Sequence, residues 1–204
     1  MSLFVTLEGI DGSGKTTQIG LLEQWLHDEE YDVLVRREPG GTELGEAIRR
    51  ILLDPQWKQM TSRTEYFLYS ASRAQLVDEV IQPHLEKPRS VVILDRYADS
   101  STAYQGGGRE LGIEAIEGIN RFATGDLTPD VTLVFDLDWE TSLARRSNLH
   151  PDRLEQNARE FFERVRSAYI MLCERNPERY FRVDASRPAA TLFTQIQTIL
   201  WEWL

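Results

Sequence analysis

Gly9-Ile10-Asp11-Gly12-Ser13-Gly14-Lys15-Thr16 follows the short run Leu3-Phe4-Val5-Thr6-Leu7. It precedes Thr16 to His27, where Ile19, Leu22 and Leu26 recur at helical spacing. The octapeptide fits G-x-x-x-x-G-K-[ST], and its setting is strand, tight loop, helix. Glycines let the main chain wrap around phosphate oxygens with its N–H groups pointing inward. The helix opening at the end of the loop turns its positive dipole end toward the same anion. In this reading the quoted residues, with Thr17, cradle a nucleoside triphosphate. Lys15 reaches the β- and γ-phosphates, and the Thr16 hydroxyl coordinates Mg²⁺.

Outward from this loop the chain alternates. Asp32 to Arg36 reads as a second strand, closed by Pro39-Gly40-Gly41. Glu43 to Leu53 and Glu65 to Leu85 read as helices, with Pro83 weakening the last turn. Val91-Val92-Ile93-Leu94 is a continuous apolar run of the kind found in strands covered on both faces. Gly106-Gly107-Gly108 reads as a loop and Ile113 to Ala123 as a helix. Val131 to Leu137 is a fourth strand, and Trp139 to Arg146 starts a helix that breaks near His150-Pro151. Gln156 to Glu174, Tyr180 to Val183 and Ala189 to Leu204 follow as helix, strand and helix. Strands alternating with helices predict a parallel sheet with a helical layer on each side, in one domain spanning 1–204.

Composition narrows the function. Lys and Arg number 23 against 33 Asp and Glu, a formal charge of −10, with 41% apolar and 27% charged residues. That mix predicts a globular fold. The acidic excess, with no sustained basic stripe, argues against nucleic acid as a partner. No stretch approaches the ~20 apolar residues of a membrane span, and the N-terminus has no basic leader. The expectation is a soluble cytoplasmic protein without a membrane partner. The lone Cys173 excludes an internal disulfide framework and a cysteine-based zinc site.

No Asn-Lys-x-Asp element of the guanine-reading type follows a later strand, which disfavours a GTPase. A small-molecule kinase needs acceptor-site cations and a mobile cationic cover, and three features meet that need. Asp95-Arg96-Tyr97 follows the apolar run; Arg96 there is placed to clamp phosphate oxygens, or else to cap the strand end with its neighbour. Tyr69 and Arg73 lie four apart on one helix face, an arrangement suited to stacking on and hydrogen-bonding a base, and equally to a plain surface pair. Arg145, Arg146 and Arg153 bracket the polar segment Ser147 to Asp152, which reads as a lid or as a solvated loop. His27, His84 and His150 are read as surface residues. Another nucleotide or deoxynucleoside kinase, and a non-catalytic nucleotide-binding module, stay open on residues alone. Retention of Asp11, Lys15, Thr16 and Arg96 favours catalysis.

The markers Arg37-Glu38-Pro39-Gly40-Gly41-Thr42, Ala71-Ser72-Arg73, Ala103-Tyr104-Gln105-Gly106-Gly107-Gly108, Pro129-Asp130-Val131-Thr132-Leu133 and Asp152-Arg153-Leu154-Glu155 extend the pattern almost end to end. With the phosphate loop and Asp95-Arg96-Tyr97, the chain resembles the bacterial thymidylate kinases. The resemblance implies transfer of the γ-phosphoryl group of ATP to dTMP with Mg²⁺, giving dTDP in the supply of dTTP. It implies a three-layer α/β/α fold of the P-loop NTPase type, with a five-stranded parallel sheet, a small lid at about 142–155, and a homodimer. Position by position, Asp11 would bond the sugar 3′-OH and help hold the metal site, and Arg96 would bridge the donor and acceptor phosphates. Arg73 would bond the thymine on which Tyr69 (commonly Phe in the family) stacks. Ser101 and Gln105 would meet the base edge, and Tyr104 would disfavour ribose. Arg49 and Glu38 would sit near the acceptor phosphate and metal, and Thr16, Glu38 and Asp95 would form the metal side. Gly12 stands where some members carry an arginine. The catalytic arginine is therefore expected from the lid, with Arg145 and Arg146 toward ATP and Arg153 at the transferring group. The lid here, Arg-Arg-Ser-Asn-Leu-His-Pro-Asp-Arg, lacks the glycines of the family's version.

Overall fold

A computed structural model describes residues 2–146, 153–154 and 157–204, with only the main chain of Arg146. The expected lid segment 142–155 falls largely outside them, as does His150.

The strands are β1 Leu3–Glu8, β2 Asp32–Arg37, β3 Ser90–Asp95, β4 Val131–Asp136 and β5 Tyr180–Asp184. They form one five-stranded sheet in the order β2-β3-β1-β4-β5, every pairing parallel. β1 lies at the centre, Leu3 through Leu7 opposite Val91 through Asp95 on one side, and Val5 through Glu8 opposite Val131 through Val134 on the other. Alternation along the central strands divides the core. Leu3, Val5, Leu7, Val91 and Ile93 join a cluster with Ile19, Leu22, Leu26, Val165 and Ile196. Phe4, Val92 and Leu94 join a second cluster with Leu76, Val77, Ile81 and Tyr97. A fully buried aliphatic side chain contributes roughly 1.5–3 kcal/mol over an exposed one, so double-sided burial rather than strand propensity holds these short strands.

The helices are α1 Lys15–Asp28, α2 Glu43–Leu53, α3 Ser62–Leu76, α4 Gln82–Leu85, α5 Ala98–Ser101, α6 Ile113–Thr124, α7 Trp139–Arg146, α8 Arg159–Arg175 and α9 Ala189–Leu200. Among the described residues no helix is long and apolar enough to cross a membrane.

Three expectations are corrected. The single helix Glu65 to Leu85 begins earlier, capped by Thr61, and passes through a π-helical turn, Val77–Ile81, before α4. Pro83 offers no N–H to Glu79 and crowds its carbonyl, and the ladder widens there. Gly106-Gly107-Gly108 is not a loop but the end of a π-helical segment, Thr102–Gly108, that continues α5. A Cβ on Gly107 would lie 2.8 Å from Cβ of Ala168, and one on Gly108 would lie 2.6 Å from Phe161. The glycines serve the close approach of α8, not flexibility. His84 is buried, with Nε2 2.9 Å from the Asp32 carbonyl oxygen and Nδ1 3.2 Å from Lys87 Nζ. His27 is exposed, as expected.

Candidate active site

In open α/β sheets, ligands bind beyond the carboxyl ends of the strands. Here the ends of β1, β2 and β3 border a cleft of about 630 Å³. The phosphate loop leaves β1, Glu38-Pro39 leaves β2, and Asp95-Arg96 leaves β3. Of the residues singled out in the sequence, Asp11, Gly12, Gly14, Lys15, Thr16, Thr17, Glu38, Arg49, Tyr69, Asp95, Arg96, Ser101, Tyr104, Gln105 and Arg145 line it.

The loop's shape depends on two glycines. Gly9 has φ +133°, and a Cβ there would come within 2.5 Å of the Phe135 carbonyl oxygen. Gly14, at φ +90°, is the N-cap of α1 and leaves its first turn open toward the cleft. Lys15 is 5% exposed, and its Nζ donates to the carbonyls of Gly9 (3.1 Å) and Ile10 (3.3 Å). Burial lowers its pKa, and the neighbouring Arg96 guanidinium pushes the same way. The stem of the expected lid docks on this loop: Ser142 Oγ donates to the Asp11 carbonyl (2.7 Å) and Arg145 Nη1 to those of Gly12 (3.2 Å) and Ala185 (3.0 Å).

Arg96 adopts a left-handed backbone, φ +72°, uncommon for a side chain of this size. Its Nη2 donates to Asp11 Oδ1 (2.8 Å) and to the Tyr104 hydroxyl (3.3 Å), its Nη1 to Ser100 Oγ (3.3 Å). Burial raises the Tyr104 pKa, so the hydroxyl stays neutral. A guanidinium thus stands between the phosphate loop and the α5 segment, where strain at a functional site is commonly found.

The Tyr69–Arg73 pair divides. Tyr69 lines the cleft, whereas Arg73 is 1% exposed. Arg73 Nη2 donates to Glu38 Oε2 (2.7 Å), the Tyr97 carbonyl (3.0 Å) and Ser101 Oγ (3.1 Å); Nη1 donates to Asn120 Oδ1 (3.0 Å). Both Glu38 oxygens accept from Arg73 Nε as well. Glu38, expected on the metal side, is therefore occupied with a buried cation. Burial still raises its pKa. Arg49 Nη1 donates to the Pro39 carbonyl (2.9 Å).

Arg153, expected at the transferring group, here pairs with the buried Glu65 (2.7 Å) and donates from Nε to the Leu52 carbonyl (2.8 Å). Glu65 also accepts from Gln105 Nε2 (2.9 Å) and Arg109 Nη2 (3.1 Å). The side chain of Arg146 lies outside the described residues. Glu8 and Glu65 were missed in the sequence; each is an acidic residue at the edge of an apolar run, which is the signal that would have drawn notice.

Two oxygen groups fit a metal beside phosphates. Asp95 Oδ1 is buried without a hydrogen-bond partner, and Asp95 and Thr16 both line the cleft. Among the described residues no group of three or more His, Cys, Asp or Glu could hold a metal on its own. A carboxylate and a hydroxyl oxygen are donors of the kind Mg²⁺ takes together with substrate phosphates and water.

Residues 7–196 match the family model for thymidylate kinase. The chain is 46% identical over 186 residues to the thymidylate kinase of an Exiguobacterium species, covering 91% of this chain and 87% of that one. It is 45% identical over 204 residues to that of Symbiobacterium thermophilum, covering 100% and 95%. Its structure resembles the crystal structure of thymidylate kinase from Ehrlichia chaffeensis with a TM-score of 0.79 and 32% identity, covering 98% of each chain.

Proposed function

The chain belongs to the thymidylate kinase family, and on that premise we propose how its own residues phosphorylate dTMP. One observation carries the reading: the Arg96 guanidinium stands in the cleft between Asp11 of the phosphate loop and the Tyr104 hydroxyl of the acceptor segment. ATP is the donor, with its phosphates on the loop main chain, Lys15 and the N-terminus of α1. The acceptor lies toward Tyr69, Ser101, Tyr104 and Gln105. Asp11 bonds the acceptor sugar, and Arg49 faces the acceptor phosphate. Tyr69 stacks on the base. Arg73 acts at its edge through Ser101, while Glu38 holds Arg73 charged.

Phosphoryl transfer spreads charge over the oxygens of the moving group, so catalysis rests on alignment and on fixed positive charge. The attacking phosphate oxygen is already ionised, and no strong general base is needed. Arg96 bridges the two sets of phosphates, and Lys15 meets the β- and γ-oxygens. Mg²⁺, held by Thr16 and Asp95, supplies further charge neutralisation when bound. The lid at about 142–155 covers the site, Arg145 and Arg146 toward ATP and Arg153 moving from Glu65 toward the phosphates; its closure excludes water. In this reading 1–204 is one domain and the enzyme is cytoplasmic.

ADP release over a panel of nucleoside monophosphates, with and without EDTA, tests the reading. Turnover is expected to be fastest with dTMP and abolished by the chelator. Faster use of dUMP, or chelator-insensitive turnover, would defeat it.

A homodimer is favoured by exposed large apolar side chains on helices that pack together: Ile51 on α2, Phe67 on α3, and Ile119 and Phe122 on α6, Phe122 exposed by 90%. Light scattering is expected to give a dimer for the native chain and a monomer for Phe122→Asp. A monomeric native chain would remove the proposal.

A further inference from the structure

Glu8 closes the central strand β1 and is a carboxyl with 0% exposure. Nothing in the proposed chemistry uses it. Its Oε1 accepts from the Tyr97 N–H at 2.7 Å. Its Oε2 accepts from Ser100 Oγ (2.5 Å) and from the Tyr169 hydroxyl (2.7 Å), and those two hydroxyls lie 3.1 Å apart. One side chain therefore joins β1, the turn after β3, α5 and α8.

Two of these bonds bear on Arg96. The Tyr97 N–H belongs to the peptide just after it, so the Glu8 bond fixes the orientation of that peptide. The Arg96 N–H is itself tied to the Leu7 carbonyl (3.0 Å). Between them β1 holds both peptides flanking a residue whose left-handed backbone, φ +72°, is sterically disfavoured for a side chain of this size. The second bond holds Ser100 Oγ, which accepts from Arg96 Nη1 (3.3 Å). Glu8 thus constrains Arg96 at its main chain and at its guanidinium.

We propose that Glu8 is a positioning residue for the transfer step, its carboxyl oxygens holding Arg96 in the left-handed turn that aims the guanidinium at the reacting phosphates. The inference deepens the reading of Arg96 as the phosphate bridge and rests on it. Burial, followed by the nearby Asp99, raises the Glu8 pKa to about 7. The carboxyl meets its three donors by reach and acceptor placement, and the variants below separate these from its charge.

That distinction sets the test. Glu8→Gln keeps side-chain length and an oxygen for the Tyr97 N–H, while its amide can donate to the two hydroxyls. Glu8→Asp keeps the acid but withdraws it by one methylene. For Glu8→Gln, kcat is expected within about threefold of the native value. For Glu8→Asp, kcat is expected to fall at least about tenfold with both KM values within about threefold, since misplacement on the order of 1 Å can cost 10²-fold. In an Arg96→Ala background, Glu8→Asp is expected to change kcat less than about twofold, because one effect acts through the other. Thermal unfolding of each variant separates loss of fold from loss of alignment. If Glu8→Asp does not fold, Ser100→Ala takes its place, with a kcat loss that disappears in the Arg96→Ala background. A charge-driven role would reverse the order, Glu8→Asp outperforming Glu8→Gln, and would overturn the inference. Independent losses in the double variant would do the same. Normal turnover by Arg96→Ala would instead defeat the bridging role on which the inference stands.

Discussion

Arg96→Ala is expected to lower kcat by about 10²–10³-fold, the usual effect of removing one donor aimed at developing charge. The KM for ATP should change little, because the triphosphate keeps the loop main chain and Lys15. Alanine adopts the left-handed conformation at much the same cost, so the fold should survive and the loss should read as chemistry. Lysine should not restore turnover: a guanidinium contacts Asp11, Ser100 and Tyr104 in one plane, and a point charge cannot. A coupled ADP-release assay on the purified variants decides the matter. Native kcat in Arg96→Ala would place the phosphates elsewhere.

Lys15→Met should be the other large effect, with kcat/KM for ATP falling by at least about 10²-fold. Methionine fills the volume of the buried stem, so unfolding should shift modestly. The bonds from Nζ to the Gly9 and Ile10 carbonyls can be exchanged for phosphate oxygens, leaving those carbonyls at the loop surface. The lowered pKa of this lysine is also expected to reverse in part as donor phosphates approach. Direct titration with a non-hydrolysable ATP analogue separates weakened binding from slowed transfer. Unchanged affinity together with unchanged turnover would remove Lys15 from the site.

The parallel sheet was legible because its strands are written twice, as apolar runs and as runs ended by turn residues. Val91 to Leu94 is the clearest case, buried on both faces. Within the loop, spacing alone singled out Lys15 and Thr16, because its backbone demands glycine at fixed places. Partnerships were less visible. Tyr69 and Arg73 share a helix face, but four-residue spacing does not say whether a guanidinium meets a ligand or a buried carboxylate. Here Arg73 meets Glu38, a residue 35 positions away. Gly106 to Gly108 carried a turn signal, yet those positions are small because α8 presses on them. The pairing of Arg153 with Glu65 joins distant segments, and no local pattern announces it. Local rules reveal elements and self-contained loops; ion pairs between separate elements depend on packing.

The placement of β1 between β3 and β4 also has a consequence for the growing polypeptide. The strand that carries the phosphate motif precedes both of its lateral partners in the chain, which begin at Ser90 and Val131. A nascent chain released before β4 would hold every letter of the nucleotide signature and still lack half the framework that shapes it. Long-range pairings of this kind fold slowly and leave strand edges open while they wait, so the phosphate loop becomes competent only after segments made well behind it.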